Sequence, residues 1–209
     1  MTDPWPKNKT IALNDLFWTL QGEGRWMGHR ALFVRLPFCN YNCSWCDTEY
    51  DSFSPWTQKD FQEFCQQEPA RFAVITGGEP LVHKDLPLIL ETLKKMNFKI
   101  ACETNGSAPI PDLIDFPTVS PKAFTQKKFP EFYIHEQAFT KAKEFKYVVD
   151  KDFDFKILKR HQPFQDHITY TLSPEYSQMQ SMSLKIIDYI KENPSWNLSL
   201  QTHKWLNIP

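Results

Sequence analysis

Short apolar and β-branched runs alternate along the chain with stretches in which apolar residues recur at helical spacing. The runs predict strands, because a strand that is buried on both faces reads as a continuous apolar segment. The predicted strands cover residues 31–36, 72–76, 98–103, 118–120, 145–149, 168–172 and 198–201, and an additional N-terminal strand covers 10–18.

Three stretches between the strands carry apolar residues on one helical face. The faces are Phe61, Phe64 and Cys65, then Leu86, Leu90 and Leu93, then Leu184, Ile187 and Ile190 before Pro194. Strands that alternate with helices predict an α/β fold with a mostly parallel sheet. No Gly/Ser-rich linker divides the sequence, so we expect one domain over residues 1–209.

Three predicted strands end in small or polar residues. Residues 76–80 read T-G-G-E-P, residues 103–106 read E-T-N-G, and residues 120–122 read S-P-K. Each of these could be an ordinary turn, since Gly and Pro mark turns. In α/β folds, however, ligands bind at the carboxyl ends of strands, so three such ends in succession indicate one site at one rim.

Composition and charge set the broad class. The chain is 41% hydrophobic and 23% charged, with a net charge of -1, which gives no general attraction to nucleic acid or to an anionic membrane. The N-terminus has neither a basic leader nor an apolar run, so we expect a soluble cytoplasmic protein with no nucleic-acid or membrane partner. In a reducing compartment, clustered cysteines are metal ligands or catalysts rather than disulfides.

Cys39, Cys43 and Cys46 form a C-x3-C-x2-C segment. Thiolates select iron–sulfur clusters, zinc or copper(I), and a structural zinc site needs a fourth ligand that no following motif supplies. Cys65 and Cys102 fall on a helix face and within a strand, where they are predicted core residues. Three ligands without a fourth leave one iron of a 4Fe–4S cubane open to a cofactor or substrate.

The cysteine spacing, Trp45 directly before Cys46, and T-G-G-E-P at residues 76–80 together resemble the radical S-adenosylmethionine (SAM) superfamily. In that superfamily, SAM chelates the open iron through its amino and carboxylate groups, and the reduced cluster cleaves it to a 5′-deoxyadenosyl radical. The resemblance implies an incomplete (βα) barrel of the radical SAM type, with mostly parallel strands and an extra N-terminal strand. A zinc or purely structural cluster site is the alternative.

Segments around these motifs point to a narrower family. They are L-Q-G-E-G at 20–24, F-V-R at 33–35, C-D-T at 46–48 and the ending Q-T-H-K-W-L-N-I-P at 201–209. This combination resembles the 7-carboxy-7-deazaguanine synthases of deazapurine (queuosine precursor) biosynthesis. The resemblance implies a lyase that contracts the ring of 6-carboxy-5,6,7,8-tetrahydropterin with loss of ammonia. It also implies Mg2+, a homodimer, and a flavodoxin or ferredoxin as reductant.

The family motifs assign roles to individual residues of this chain. Cys39, Cys43 and Cys46 would hold the cluster, Thr48 would bind Mg2+, and Glu103 would contact either SAM or the substrate as a catalytic residue. For SAM the resemblance assigns Trp45, Cys46, Asp47, Gly78, Ser120, Pro121, Lys122 and Ser173. For the substrate it assigns Leu20, Gln21, Gly22, Glu23, Arg35, Thr76 and Pro209.

Two other functions remain open from the sequence. A glycyl-radical-enzyme activase shares C-x3-C-x2-C and a GGEP-like turn, but it is expected to lack both L-Q-G-E-G at 20–24 and the ending Q-T-H-K at 201–204. A small electron-transfer or metal-storage protein would hold a cluster without cleaving SAM. Incubation with a carboxytetrahydropterin and a reductant tests the activase, since a carboxy-deazaguanine product excludes it. A reconstituted cluster that never cleaves SAM under dithionite would leave only the electron-transfer or storage protein.

Overall fold

The computed structural model describes residues 5–6, 9–46, 48–49, 51–122 and 131–209. Its strands are β1 (Thr10–Leu13), β2 (Asp15–Leu20), β3 (Arg30–Leu36), β4 (Ser54–Thr57), β5 (Phe72–Gly77), β6 (Lys99–Thr104), β7 (Phe116–Val119), β8 (Glu144–Val149), β9 (Thr169–Pro174) and β10 (Trp196–Leu198). Its α-helices are α1 (Gln58–Gln66), α2 (Leu86–Lys95), α3 (Ala138–Lys141), α4 (Met179–Glu192) and α5 (Thr202–Leu206).

Eight strands form one sheet in the order β10-β9-β8-β7-β6-β5-β3-β2. All neighbours are parallel except β2, which runs antiparallel to β3 at one edge. The carboxyl ends of seven strands therefore meet at the same rim. The predicted incomplete (βα) barrel with an extra N-terminal strand is confirmed, and β1 and β4 form a separate antiparallel pair.

Alternation along the strands separates an outer face from an interior. On β6, Ile100 and Cys102 belong to the main hydrophobic core, whereas Ala101 between them packs with Ala31 and Val74 in a small interior cluster. This is the period-two pattern expected of barrel strands. Side chains on the same face of the sheet as Ala101 therefore point to the inside of the barrel.

Aromatic rings close one end of the barrel, and a hydrogen bond joins the two edges of the sheet. Near the amino ends of the strands, the Trp26 ring lies 5.1 Å from that of Phe72 and 4.6 Å from that of Phe116. Between the two sheet edges, the Gly24 N–H donates to the Ser199 hydroxyl at 2.8 Å. The open end is thus the rim formed by the carboxyl ends of the strands, where the sequence predicts the site.

Local signals explain where the helices begin. The Thr57 hydroxyl accepts a hydrogen bond from the Asp60 N–H and so caps α1, which buries Phe61 and Cys65 as predicted. The predicted apolar face of α2 is likewise buried. Among the described helices, none is long and apolar enough to cross a bilayer.

Several element boundaries differ from the sequence-based prediction. The predicted strand at 10–18 is two strands, because the Asn14 side chain donates to the Ser52 carbonyl and β1 turns away to pair with β4. The last strand ends at Leu198 instead of beginning there, and β4 was not predicted. Residues 118–120 and 168–172 correspond to strands shifted by one or two positions.

The predicted apolar face of α4 is buried only in part, because Ile190 packs against the core and the other two residues do not. Met182 and Ile186 are buried, whereas Leu184 is 64% exposed and Ile187 is 37% exposed. The helix carries two overlapping apolar stripes, and a stripe that contains Met182 and Ile186 also has helical spacing. Packing against the sheet decides between the two stripes, and the sequence pattern does not.

His161 lies in an aromatic core and predicts a pH-dependent stability. Its ring lies 4.4 Å from that of Phe145, and its Nε2 lies 3.0 Å from the Tyr147 hydroxyl. Burial, with Arg160 nearby, lowers the pKa of His161 to about 4. The unfolded chain takes up a proton near pH 6.5, so stability is full above that pH and falls toward pH 4, by at most about 3 kcal/mol.

Urea unfolding at several pH values between 7 and 4 measures this effect. We expect His161→Gln, although less stable at pH 7, to lose less free energy of unfolding over that range than the wild-type chain. The exposed His167 supplies the matched control, since His167→Gln should keep the wild-type pH slope. An unchanged slope in His161→Gln would contradict the assignment.

Candidate active site

A cavity of about 440 Å³ opens at the rim formed by the carboxyl ends of the strands. Its volume lies in the range of small-molecule sites. It is lined by the following residues that the sequence assigned to cluster, cofactor or substrate: Leu20, Gln21, Gly22, Glu23, Arg35, Cys39, Cys43, Trp45, Cys46, Thr48, Thr76, Gly78, Glu103, Ser120, Lys122 and Pro209.

Two of the assigned residues do not line the cavity. Pro121 and Ser173 are buried, and neither lines the cavity. Ser173 pairs with Val148 across β8 and β9, and Val148 does line it. Asp47 lies outside the described residues. The roles of these three toward SAM stay predictions.

The cysteine segment follows β3 and forms one wall of the cavity. Cys39 and Cys43 are half-buried, Cys46 is exposed, and the Tyr41 N–H donates to the Cys39 Sγ at 3.4 Å. Burial raises the pKa of the Cys39 thiol to about 11 and also raises that of Cys43. A bound metal centre would reverse this rise in pKa, because its positive charge keeps a coordinated thiol deprotonated.

These cysteines fit a 4Fe–4S cluster better than a single metal ion. Within the described ranges, no three His, Cys, Asp or Glu side chains gather as the ligands of one ion do. A cubane binds each thiolate through a different iron, so its cysteines need not converge on one point. Cys65 and Cys102 are fully buried in the main core, as predicted, and supply no fourth sulfur at the loop.

The glycine pair at the end of β5 holds the start of the cysteine segment. The Gly78 N–H donates to the Leu36 carbonyl, and the Glu79 N–H donates to the Phe38 carbonyl, both at 2.9 Å. A methyl group on Gly78 would lie 1.7 Å from the Phe38 carbonyl oxygen. The close approach of the two backbones therefore requires glycine directly beside Cys39.

A buried hydrogen-bond network ties two of the strand-end motifs to the cysteine segment. The Glu79 carboxylate, 1% exposed, accepts from the Thr104 hydroxyl and from the Asn105 N–H, both at 2.6 Å. The Asn105 side chain donates to the Asn40 amide oxygen at 2.9 Å, which reaches the cysteine segment. Burial raises the pKa of Glu79. The network fixes the position of the cysteine segment on the sheet.

Lys146 on β8 lies at the charged centre of the cavity, and the sequence-based prediction missed it. Its Nζ lies 2.8 Å from the Glu23 Oε2 and 3.0 Å from the Glu103 Oε2. Burial alone would raise the pKa of Glu23, but Lys146 outweighs it and lowers that pKa to about 2. Burial, together with Glu23 and Glu144, keeps the pKa of Glu103 raised despite Lys146. A lysine between Phe145 and Tyr147 in a predicted strand was the signal available in the sequence.

Arg35 and Lys122 place two more cations on the wall. The Arg35 Nε is buried without a hydrogen-bond partner among the described residues, and its guanidinium lies 5.3 Å from the Phe17 ring centre. The Lys122 Nζ donates to the Ser120 hydroxyl at 2.7 Å and lies 5.2 Å from the Trp45 ring centre. Burial lowers the pKa of Lys122. Arg35 thus brings a positive charge and a hydrogen-bond donor to the cavity wall.

The C-terminal segment docks on the loop after β2. The Thr202 N–H donates to the Gly22 carbonyl at 3.0 Å, and the Gln201 side chain donates to the Glu23 Oε1 at 2.9 Å. The His203 ring packs so closely on Gly22 that a methyl group there would lie 2.3 Å from it. This docking places His203 and Pro209 on the cavity wall.

Comparisons with known proteins agree with this geometry. Residues 33–117 match the family model of the radical SAM superfamily. The chain is 33% identical over 207 residues to the 7-carboxy-7-deazaguanine synthase of Flavobacterium psychrophilum, covering 97% of this chain and 95% of the relative. It is 35% identical over 213 residues to that of Neisseria meningitidis, covering 97% and 96%. The chain belongs to the 7-carboxy-7-deazaguanine synthase family.

A solved structure supports the same family. The crystal structure of QueE from Escherichia coli superimposes with a TM-score of 0.74 at 30% identity, covering 92% of this chain and 94% of that one. As a radical SAM member of the 7-carboxy-7-deazaguanine synthase family, the chain is an enzyme that uses a 4Fe–4S cluster and SAM. These relatives do not favour the glycyl-radical-enzyme activase.

Proposed function

We propose that this chain converts 6-carboxy-5,6,7,8-tetrahydropterin to 7-carboxy-7-deazaguanine with loss of ammonia, as a carbon–nitrogen lyase. The observation that carries the proposal is the single cavity in which the cysteine segment faces Arg35 and the Glu23–Lys146–Glu103 cluster. The names of the relatives support the same substrate and product.

The residues on the cluster side of the cavity would bind the cofactors. Cys39, Cys43 and Cys46 would hold the 4Fe–4S cluster, which together with SAM supplies a radical able to remove a hydrogen atom from the substrate. Gly78 packs directly against the backbone of Phe38 and Cys39 and would contact the amino group of SAM. Lys122 and Ser120, joined by a hydrogen bond, would contact the ribose and carboxylate region of SAM.

The residues on the cavity wall opposite the cysteine segment would orient the pterin. Arg35 would bind its carboxylate, because the buried Nε–H has no acceptor within the described part of the chain and the guanidinium presents parallel N–H groups. Glu23 stays ionised at neutral pH, so it would accept hydrogen bonds from the amino-pyrimidine edge. Leu20, Gln21, Gly22, Thr76 and Pro209 complete this wall, and Glu103 lies where either SAM or the pterin would reach it.

Mg2+ is proposed to arrive with the substrate. Thr48 lines the cavity, but one hydroxyl cannot hold an ion that prefers six oxygen ligands. The pterin carboxylate and retained waters would complete the coordination. A homodimer, a flavodoxin or ferredoxin as electron donor, a cytoplasmic location and a single domain are inferred from the family resemblance and the sequence.

An anaerobic assay tests the proposed function. Reconstituted protein is incubated with SAM, Mg2+, dithionite and the tetrahydropterin, and the expected product has the mass of a carboxy-deazaguanine, with ammonia released. Fully oxidised 6-carboxypterin is the matched control, because it has no hydrogen atom at C6 and should give no product. Chelation of Mg2+ should slow product formation. Cleavage of SAM without a deazaguanine product would refute the substrate assignment.

Arg35→Lys should raise the KM for the pterin roughly 10-fold or more, because lysine keeps the charge but loses the bidentate contact to a carboxylate. The affinity for SAM should stay at the wild-type value. Arg30 on the same strand pairs at the surface with Glu68, so Arg30→Lys is the matched control and should change neither constant. A weaker affinity for SAM with an unchanged KM for the pterin would place Arg35 on the cofactor instead.

A further inference from the structure

Lys146 is a lysine held inside the barrel. Its strand neighbours Phe145 and Tyr147 are fully buried in the main core, so alternation turns Lys146 toward the interior. Its side chain is 7% exposed. A buried lysine without a counter-charge tends to lose its proton, and here the two carboxylates raise its pKa in spite of burial.

The two carboxylates come from different parts of the fold. Glu23 follows β2 at one edge of the sheet, Glu103 lies on the central strand β6, and Lys146 bridges them from β8. Glu144, two positions before Lys146, is occupied elsewhere, since it accepts from the Thr171 hydroxyl at 2.7 Å. Lys146 therefore links the edge loop to the centre of the sheet.

Both Glu23 oxygens are held, because Oε2 pairs with Lys146 and Oε1 accepts from Gln201. A carboxylate fixed at both oxygens cannot rotate, yet each oxygen keeps a second lone pair for another donor. Two parallel acceptors of this kind match a ligand edge with two adjacent N–H donors. The amino-pyrimidine edge of a pterin has that pattern.

We propose that Lys146 is a positioning residue that fixes Glu23 and Glu103 so that their free lone pairs select a substrate with an amino-pyrimidine edge. The inference rests on the proposed function and deepens it. Lys146 itself acts through the two carboxylates, and the substrate contacts are theirs. Its removal leaves two buried carboxylates that repel each other and take up a proton or move apart.

Lys146→Met is the main test, because methionine keeps the unbranched stem of the lysine side chain and removes only its charged end. We expect the KM for the pterin to rise on the order of 10- to 100-fold, as for other supporting residues, while iron content and SAM affinity stay at wild-type values. Lys146→Arg should recover much of the pterin affinity. The exposed Lys185 on α4 supplies the control, and Lys185→Met should behave as wild type.

A folded, cluster-loaded Lys146→Met with a wild-type pterin KM would overturn the proposal, even if its melting temperature falls. If that variant does not fold, the double variant Lys146→Met/Glu103→Gln is compared with Glu103→Gln alone. The double variant keeps the net charge of the three side chains at positions 23, 103 and 146. A higher pterin KM in the double variant supports the proposal, and equal values reject it. Failure of the wild-type chain to convert the pterin would instead reject the proposed function.

Discussion

Cys39→Ala is expected to abolish both retention of the iron–sulfur cluster and formation of product. In the proposed assignment three thiolates would hold three irons of a 4Fe–4S cluster, so removal of one would leave two protein ligands on a half-exposed loop. Iron and sulfide content after anaerobic reconstitution, the electron paramagnetic resonance signal of the reduced protein and the formation of 5′-deoxyadenosine measure the loss. All three should fall to background.

Cys65→Ala is the matched control for that loss. Cys65 is fully buried on α1 in the main core, so the smaller side chain leaves a void and costs about 1 kcal/mol of stability. Iron content and SAM cleavage should remain at wild-type values. Equal loss of iron from the two variants would show that the ligand assignment is wrong.

Gly78→Ala is expected to prevent cluster assembly without touching a cysteine. The added methyl group would overlap the Phe38 carbonyl oxygen at 1.7 Å, and backbone cannot move aside as the end of a flexible side chain does. The start of the cysteine segment must shift, which breaks the hydrogen bonds from Gly78 to Leu36 and from Glu79 to Phe38. We expect a stability loss of about 1–3 kcal/mol, as for other overpacked sites, and little bound iron.

Gly28→Ala separates this steric effect from the general cost of replacing a glycine. No atom of the described residues lies within 4 Å of a methyl group at Gly28, although its φ of +82° makes alanine strained there. This variant should lose about 1–2 kcal/mol of stability and still bind iron at the wild-type level. Wild-type iron content in Gly78→Ala would contradict the role of the glycine pair.

Much of the site was accessible from the sequence, because its residues lie in short motifs at the ends of successive strands. Parallel strands bring their carboxyl ends to one rim, so Cys39, Thr76, Glu103 and Ser120 meet without further information. The strands themselves were recognisable from their apolar runs. Boundaries shifted where pairing partners, and not local pattern, decide the end of a strand, as for β10 and for the split between β1 and β2.

The sequence by itself determined the class of fold and the family and predicted the three cluster ligands, since each depends on residues that are close along the chain. The tertiary structure alone decided the pairing of Lys146 with Glu23, the link from Glu79 through Asn105 to the cysteine segment, and the buried face of α4. Those contacts join residues from separate strands and loops. Their energies depend on burial and distance in the folded barrel, which no local spacing encodes.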